Sequence, residues 1–389
     1  MEKKKLLIAI HNMNVGGVQK SLLTALRAID REKYDITLYV RKNKTALLQS
    51  AAPYADKIIV NDDATRYYRK PKAVFYALML QLSQRAGGDA GKWKEKLDRF
   101  VIEGRMRYEK EQYFPDGTTY DTAISYIQGY TAAFVQACVD AERKIVFYHG
   151  STDENHALHE RIFPLFGRIV AVNAGCAEIL KTLYPACADQ ITYIENYVDA
   201  DEIRAAARAY ETDRAGRQTV LCTCGRFSPE KGFDLAVEAA AKLKAAGLDF
   251  IWYFVGDGPE RENLVSAVQA AKLGEQIRFT GTLENPYPYI GGCDIYVQPS
   301  YEEAQPLSVK EAALLCRPVV TTATVGGRNI VADGETGLIA EIDAADLADK
   351  ILMLARSGAL REHMRLVLSK TDPAAEKAAY ENAWAALLA

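Results

Sequence analysis

Residues 219–232 read Thr219-Val220-Leu221-Cys222-Thr223-Cys224-Gly225-Arg226-Phe227-Ser228-Pro229-Glu230-Lys231-Gly232. A short apolar run, a glycine turn and then an amphipathic stretch from Gly232 to Ala246 is the pattern of a buried parallel strand feeding a helix. The stretch decides the fold because it restarts an alternation already seen upstream. Strand candidates there are Leu6 to Ile10, Asp35 to Val40, Lys57 to Val60, Thr122 to Tyr126, Lys144 to Tyr148, Arg168 to Val172 and Gln190 to Ile194, with amphipathic segments such as Gln19 to Ile29 and Gly175 to Leu183 between them. The polar segment Asp199 to Gly216 carries no strand signal. After it come Thr219 to Thr223, Phe250 to Val255, Gln276 to Thr280, Ile295 to Gln298 and Pro318 to Thr322. Strands alternating with helices imply βαβ units and parallel sheets, so the expectation is two α/β halves joined near residue 200.

Composition agrees with that architecture. The chain has 389 residues, 49% hydrophobic and 25% charged, a balance that excludes a disordered or fibrous protein and suits two domains. With 48 basic and 51 acidic side chains the net charge is −3, which excludes the global field needed to hold a nucleic acid. The seven cysteines are scattered without a CxxC pair and read as buried thiols of a reducing, cytoplasmic compartment. Lys3-Lys4-Lys5 before Leu6 to Ile10 looks at first like a leader, but five apolar residues followed by His11-Asn12 suit a first buried strand. No run approaches the ~18 apolar residues of a spanning helix.

One segment exceeds a minimal α/β half. Arg66 to Lys110 holds twelve Lys or Arg against five Asp or Glu, interleaved with Val74, Phe75, Tyr76, Leu78, Met79, Leu80, Trp93, Leu97, Phe100 and Val101. Such a basic helical insert suits the surface of an anionic membrane; a solvated helical pair on its own domain is the alternative.

Candidate chemistry lies at strand ends. The first strand runs into His11-Asn12-Met13-Asn14-Val15-Gly16-Gly17, a glycine turn ahead of a helix, where bare N–H groups and the helix dipole can face a phosphate. Arg226 and Lys231 offer a guanidinium fork and a point charge five residues apart, a pair that suits a diphosphate or is simply solvated. Ser300 to Ala312 places Glu303 in a strand-to-helix loop and Glu311 a turn inside the helix, where carboxylates suit sugar hydroxyls; Ser308 with Glu311 also spells a capping box. His149 stands at the end of a strand beside Gly150, as a ligand contact or a structural hydrogen-bonder. His156 and His159 have helical spacing but no third ligand, so no metal is expected. Asp199-Ala200-Asp201 opens the polar segment and reads as helix-end charge complementation.

Taken together these residues resemble the retaining glycosyltransferases of family 4, nucleotide-sugar-dependent enzymes of the GT-B fold. The resemblance spans Gly16-Gly17-Val18-Gln19, Val172-Asn173-Ala174, Ile194 to Asp199, Gly225-Arg226-Phe227 to Lys231-Gly232, Val255 to Pro259, Phe279-Thr280-Gly281, Glu303 to Glu311 and Asp333 to Leu338. It implies two Rossmann-like α/β domains facing across a deep cleft: an acceptor-side domain, 1–198, carrying the insert at about 66–110; a nucleotide-sugar domain, 199–371; and a final helix, 372–389, crossing back to the first.

By the same resemblance Arg226 and Lys231 would hold the donor diphosphate, Glu311 the ribose, and Glu303 with Ala304, Gln305, Pro306 and Leu307 the sugar and phosphate. Leu283, Glu284 and Asn285 would meet the base through main chain, Gly16 and Gly17 would bring the first domain to the diphosphate, and His149 would contact the sugar near the reacting carbon. The catalytic set is then His149, Arg226, Lys231 and Glu303. The donor would be a nucleotide-sugar, UDP-sugar favoured, and the acceptor a saccharide or polyprenyl or other lipid-linked molecule at the inner membrane face, as in cell-surface polysaccharide or glycolipid synthesis. A front-face, retaining mechanism needs neither metal nor other cofactor. The sequence departs from the family at Pro306, which stands where a glycine N–H is usual, at Gly150 in place of an Asp, and at Glu195-Asn196-Tyr197 at the junction. Two other functions stay open: a GT-B-like subunit that binds a nucleotide or partner without transfer, and a sugar-nucleotide epimerase.

Overall fold

Two parallel sheets carry the chain in the computed structural model, which describes residues 2–42, 46–61, 71–85, 90–115, 117–153, 155–212 and 218–389. The first sheet comprises β1 (Lys4–Ile10), β2 (Tyr34–Val40), β3 (Lys57–Val60), β4 (Thr119–Ser125), β5 (Asp140–Tyr148), β6 (Arg168–Ala171) and β7 (Ile191–Tyr193), in the order β3-β2-β1-β4-β5-β6-β7. The second comprises β8 (Thr219–Cys224), β9 (Phe250–Val255), β10 (Ile277–Gly281), β11 (Ile295–Gln298), β12 (Val319–Thr322) and β13 (Gly337–Ala340), in the order β10-β9-β8-β11-β12-β13. The strand pairings within both sheets are parallel. Helices cover both faces of each sheet, which is why Leu6 to Ile10 and Phe250 to Val255 are apolar throughout and buried.

Strand lengths differ from the sequence expectation where polarity misleads. β5 starts at Asp140 because Asp140 to Arg143 pair with β4 although their side chains are largely exposed. β13 was not expected at all, since Asp333 to Gly337 reads as turn. Gly337 nevertheless enters the sheet: a Cβ there would lie 2.3 Å from the Val319 carbonyl oxygen, so the close pass of β12 requires glycine.

The polar segment after Asp199 holds a short helix, Ala200–Ala206, whose first N–H groups at Asp201 and Glu202 are capped by the Asp199 carboxylate, as its Asp-rich start implies. At the other end of the chain the helix Pro373–Leu388 leaves the second domain and buries Tyr380, Trp384, Leu387 and Leu388 in the core beneath β1, β2 and β5. Trp384 stacks on Phe147 at 5.2 Å and 11°, and Arg143 Nη2 donates to the Leu387 carbonyl at 2.8 Å.

The insert is a helical pair, Pro71–Arg85 and Ala90–Tyr113. Arg66 to Lys70 and the side chain of Trp93 lie outside the described residues. The pair is rooted by the fully buried Glu109, which accepts from Arg41 Nε at 3.0 Å, Arg105 Nε at 2.6 Å and Asn61 Nδ2 at 2.9 Å. Arg41 directly follows β2, so the pair stands at the carboxyl edge of the first sheet.

Candidate functional site

Both sheets reverse strand order in the middle, between β1 and β4 and between β8 and β11. Ligands of open α/β sheets bind at that switch point, beyond the carboxyl ends of the strands. The turns after β1, β5, β8 and β11 carry Gly16 and Gly17, His149, Arg226 to Lys231, and Glu303 to Glu311, so the fold collects the candidates named from sequence at the two facing switch points.

In the second domain Arg226 leaves β8 exposed, and no ion pair engages its guanidinium among the described residues. Lys231 ends a short 3-10 turn, Pro229–Lys231, and Gly232 follows at φ 63, with a Cβ position only 2.0 Å from the Pro299 carbonyl oxygen. This left-handed, crowded glycine packs the Lys231 turn against the loop after β11. Lys231 Nζ thereby reaches Glu303 Oε1 at 2.7 Å. The same oxygen accepts from Gln298 Nε2 and Ser300 Oγ, both at 3.0 Å, so the 8%-exposed carboxylate is held in one orientation.

Pro306 forms the N-cap of the helix Leu307–Leu314 with no side-chain cap, which leaves the Leu307 and Ser308 end of the dipole pointed at the cleft. The capping-box reading of Ser308 and Glu311 fails here: Ser308 Oγ donates to Gln298 Oε1 at 3.0 Å, while Glu311 accepts from Tyr287 OH and Lys20 Nζ, each at 3.1 Å. Burial pushes the Tyr287 hydroxyl up to about 12, with Glu311 adding to it, so it stays a donor at neutral pH. In the turn after β10, Leu283 is partly buried and Glu284 exposed, while Asn285 is tied to the polar segment, its Nδ2 donating to the Ala206 carbonyl and its carbonyl accepting from Tyr210 OH, both at 2.8 Å.

From the first domain, Gly17 faces the start of this helix; a Cβ on it would lie 3.9 Å from Leu307 Cδ1. The His149 ring lies 5.2 Å from that of Tyr126, tilted by 47°, and its backbone N–H donates to Gln128 Oε1 at 3.1 Å. Burial pushes its pKa down to about 4, against a hydrogen bond from the ring to the Tyr126 carbonyl, so the ring is neutral. The other ring nitrogen, Nε2, is buried with no partner among the described residues, a group that a ligand hydroxyl would satisfy. The two other histidines of this region are accounted for within the fold. His159 Nδ1 meets Asp153 Oδ1 at 2.7 Å and its Nε2 accepts the Gly129 N–H at 2.9 Å, while His156 pairs with Tyr184 OH at 3.0 Å.

Sequence reading missed the contacts that join the domains. Ser151 Oγ and Thr152 Oγ1 donate to Glu302 Oε1 at 2.9 and 2.6 Å, Asn173 Nδ2 donates to the Ala304 carbonyl at 2.5 Å, and the Asn196 N–H donates to Gln305 Oε1 at 3.0 Å. Asn173 was visible as part of a motif, yet its second role, capping the helix Ala174–Leu183, hides the first.

The fold defines a class: a GT-B-type, two-domain α/β protein. Anabaena HepE in complex with UDP and glucose superposes with a TM-score of 0.70 at 14% identity, covering 98% of this chain and all of that one. A glycosyltransferase from Rickettsia africae gives 0.69 at 16% identity over 100% and 99% of the two chains. Within that class, residues 208–366 match the family model "Glycosyl transferases group 1". Curated relatives include the lipopolysaccharide core biosynthesis glycosyltransferase LpsE of Rhizobium meliloti, 29% identical over 50% of this chain and 56% of its own length. Another is the 2-deoxystreptamine N-acetyl-D-glucosaminyltransferase of Niallia circulans, 32% identical over 40% of this chain and 41% of its own. The chain thus spans about half the length of the curated relatives it matches.

Proposed function

We propose that this chain is a retaining glycosyltransferase of family 4 type that moves a hexose-type sugar from a nucleotide-sugar, a UDP-sugar by preference, to a saccharide or lipid-linked acceptor in cell-surface polysaccharide or glycolipid synthesis. The observation that carries the reading is the meeting, at one uncapped helix start, of a lysine held 2.7 Å from a buried carboxylate, a second buried carboxylate and the first domain's glycine turn, with Arg226 exposed at the end of the neighbouring strand β8. Breaking an anomeric bond leaves a nucleoside diphosphate with added negative charge. Arg226, Lys231 and the dipole at Leu307 and Ser308 would stabilise that charge, the part a metal plays in other folds. Pro306 contributes no N–H, so the phosphate contacts fall to the groups that follow it. Glu303, pinned by three donors, would hold sugar hydroxyls rather than act as a nucleophile, and His149 Nε2 would accept from the sugar. With no carboxylate assigned to the reactive face, front-face attack, the departing phosphate taking the acceptor proton, is the simplest retaining route.

A thermal-shift screen of UDP, GDP, ADP and their sugar conjugates, followed by metal-free release of nucleotide from the best conjugate, tests the reading. One responding series with slow turnover supports it; binding without turnover identifies a non-catalytic subunit, and conversion to an epimeric nucleotide-sugar identifies an epimerase. Lys231→Ala and Glu311→Ala should each weaken binding or turnover by on the order of 2 kcal/mol or more through lost charge-assisted contacts. Unchanged values for both would remove the cleft assignment.

The same reading places the acceptor side at a membrane. What supports it is the insert: Val74, Phe75, Leu78 and Leu82 are each about half exposed along one side of the helix Pro71–Arg85, in a segment with a basic excess. Apolar side chains among cations match the interface of an anionic bilayer. No helix among the described residues is long and apolar enough to cross one.

A further inference from the structure

The first turns of two helices from different domains lie side by side in the cleft. Gly17 faces Leu307, and one turn further along each helix Lys20 Nζ lies 3.1 Å from Glu311 Oε1 and 3.3 Å from Tyr287 OH. The ammonium also stands 5.3 Å from the centre of the Tyr287 ring. Two donors from two domains therefore share a single carboxylate oxygen of a residue only 3% exposed. The pair differs from another cross-domain ion pair, Arg27 with Glu202, in that its carboxylate is buried whereas that of Glu202 is open to water. A solvated pair of that sort is easily exchanged for water, whereas a buried carboxylate deprived of its cation has to find another partner. Burial pulls the Lys20 ammonium toward neutrality, but Glu311 and Tyr287 outweigh it and hold its pKa above the ordinary lysine value.

We propose that Lys20 is a further residue of the donor site and acts as its gate: ribose hydroxyls reach Glu311 by taking over the oxygen that Lys20 holds. This rests on the reading of Glu311 as the ribose carboxylate. Binding then costs the breaking of an ion pair whose carboxylate is buried, and the ammonium's departure loosens the contact between the Gly17 and Leu307 helices. Donor binding and domain movement become one event. Lys20 so tunes donor affinity from the opposite domain, and a variant that cannot hold Glu311 binds nucleotide more tightly.

The test is calorimetric titration of the full chain with UDP, or with whichever nucleoside diphosphate gives the largest thermal shift, for the native protein, Lys20→Met, Lys20→Gln, Glu311→Gln and the double variant Lys20→Met/Glu311→Gln. Lys20→Met keeps the apolar stem, and Lys20→Gln guards against a folding defect in it. Expected are about tenfold tighter binding for both Lys20 variants, weaker binding for Glu311→Gln, and loss of the Lys20→Met gain in the double variant, because the gate acts on the ribose only through Glu311. Unchanged or weaker binding in the Lys20 variants, with Glu311→Gln still weakened, overturns the gate and leaves the ribose reading intact. Unchanged binding in Glu311→Gln overturns the ribose reading and the gate with it.

Discussion

At the scale of single residues, His149 converts burial into a measurable property. Its pKa is pushed down to about 4 from an ordinary value of 6.5, so between those two values the unfolded chain binds a proton that the folded chain refuses. Stability from this group is complete above pH 6.5 and is lost as the pH falls toward 4. His149→Gln should therefore show a flatter fall in melting temperature across that window than the native protein; parallel curves would mean that the ring is not buried and neutral. The residues around it divide by how they could be read. Arg226, Lys231, Glu303 and Glu311 were legible because each belongs to a local strand, turn and helix. Ser308 and Glu311 matched a capping box equally well, since the three-residue spacing is common to both roles and only tertiary partners decide between them. Lys20 gave no signal: its partner is 291 residues away, in another domain.

Among the elements, the helix Pro373–Leu388 tests how much of the first domain rests on a segment that follows the second in sequence. Trp384 is completely buried between Tyr126, Phe147 and Tyr380. Trp384→Ala should cost the first domain about 3–5 kcal/mol, the range for emptying such a site. Denaturant unfolding followed separately for the two domains would reveal it, because a two-domain chain need not melt as one unit. An equal loss in the second domain would contradict the packing. Element boundaries were read well where a strand is apolar throughout, as in β9, while in β1 the charged start Lys4-Lys5 was missed. They were misread where a strand carries charge, as at Asp140 to Arg143, or begins with a turn-like glycine, as in β13.

For the whole molecule, the arrangement of the insert leads to a separate expectation. Its exposed apolar stripe and its root at Arg41 and Glu109 put the side proposed to meet a membrane at the carboxyl edge of the first sheet, the edge that also opens onto the cleft. Co-sedimentation with anionic liposomes should be strong at low salt, weaken as salt rises, and fall several-fold in Phe75→Glu/Leu78→Glu. Retention of the double variant on vesicles, or no binding by the native protein at low salt, would exclude this face. The relation between the domains was the least legible feature, because it depends on side chains such as Asn173, Glu302 and Gln305 whose partners lie across the cleft.

The helix Pro373–Leu388 also means that the backbone passes between the domains twice, outward near Asp199 and home again near Asp372. In the language of protein engineering, the second domain is a cassette inserted into the first, and a chimera spliced at one junction would bring a foreign closing helix to the Tyr126 and Phe147 socket. Exchange of the second domain between related chains therefore calls for two cuts, with the native Trp384 helix kept.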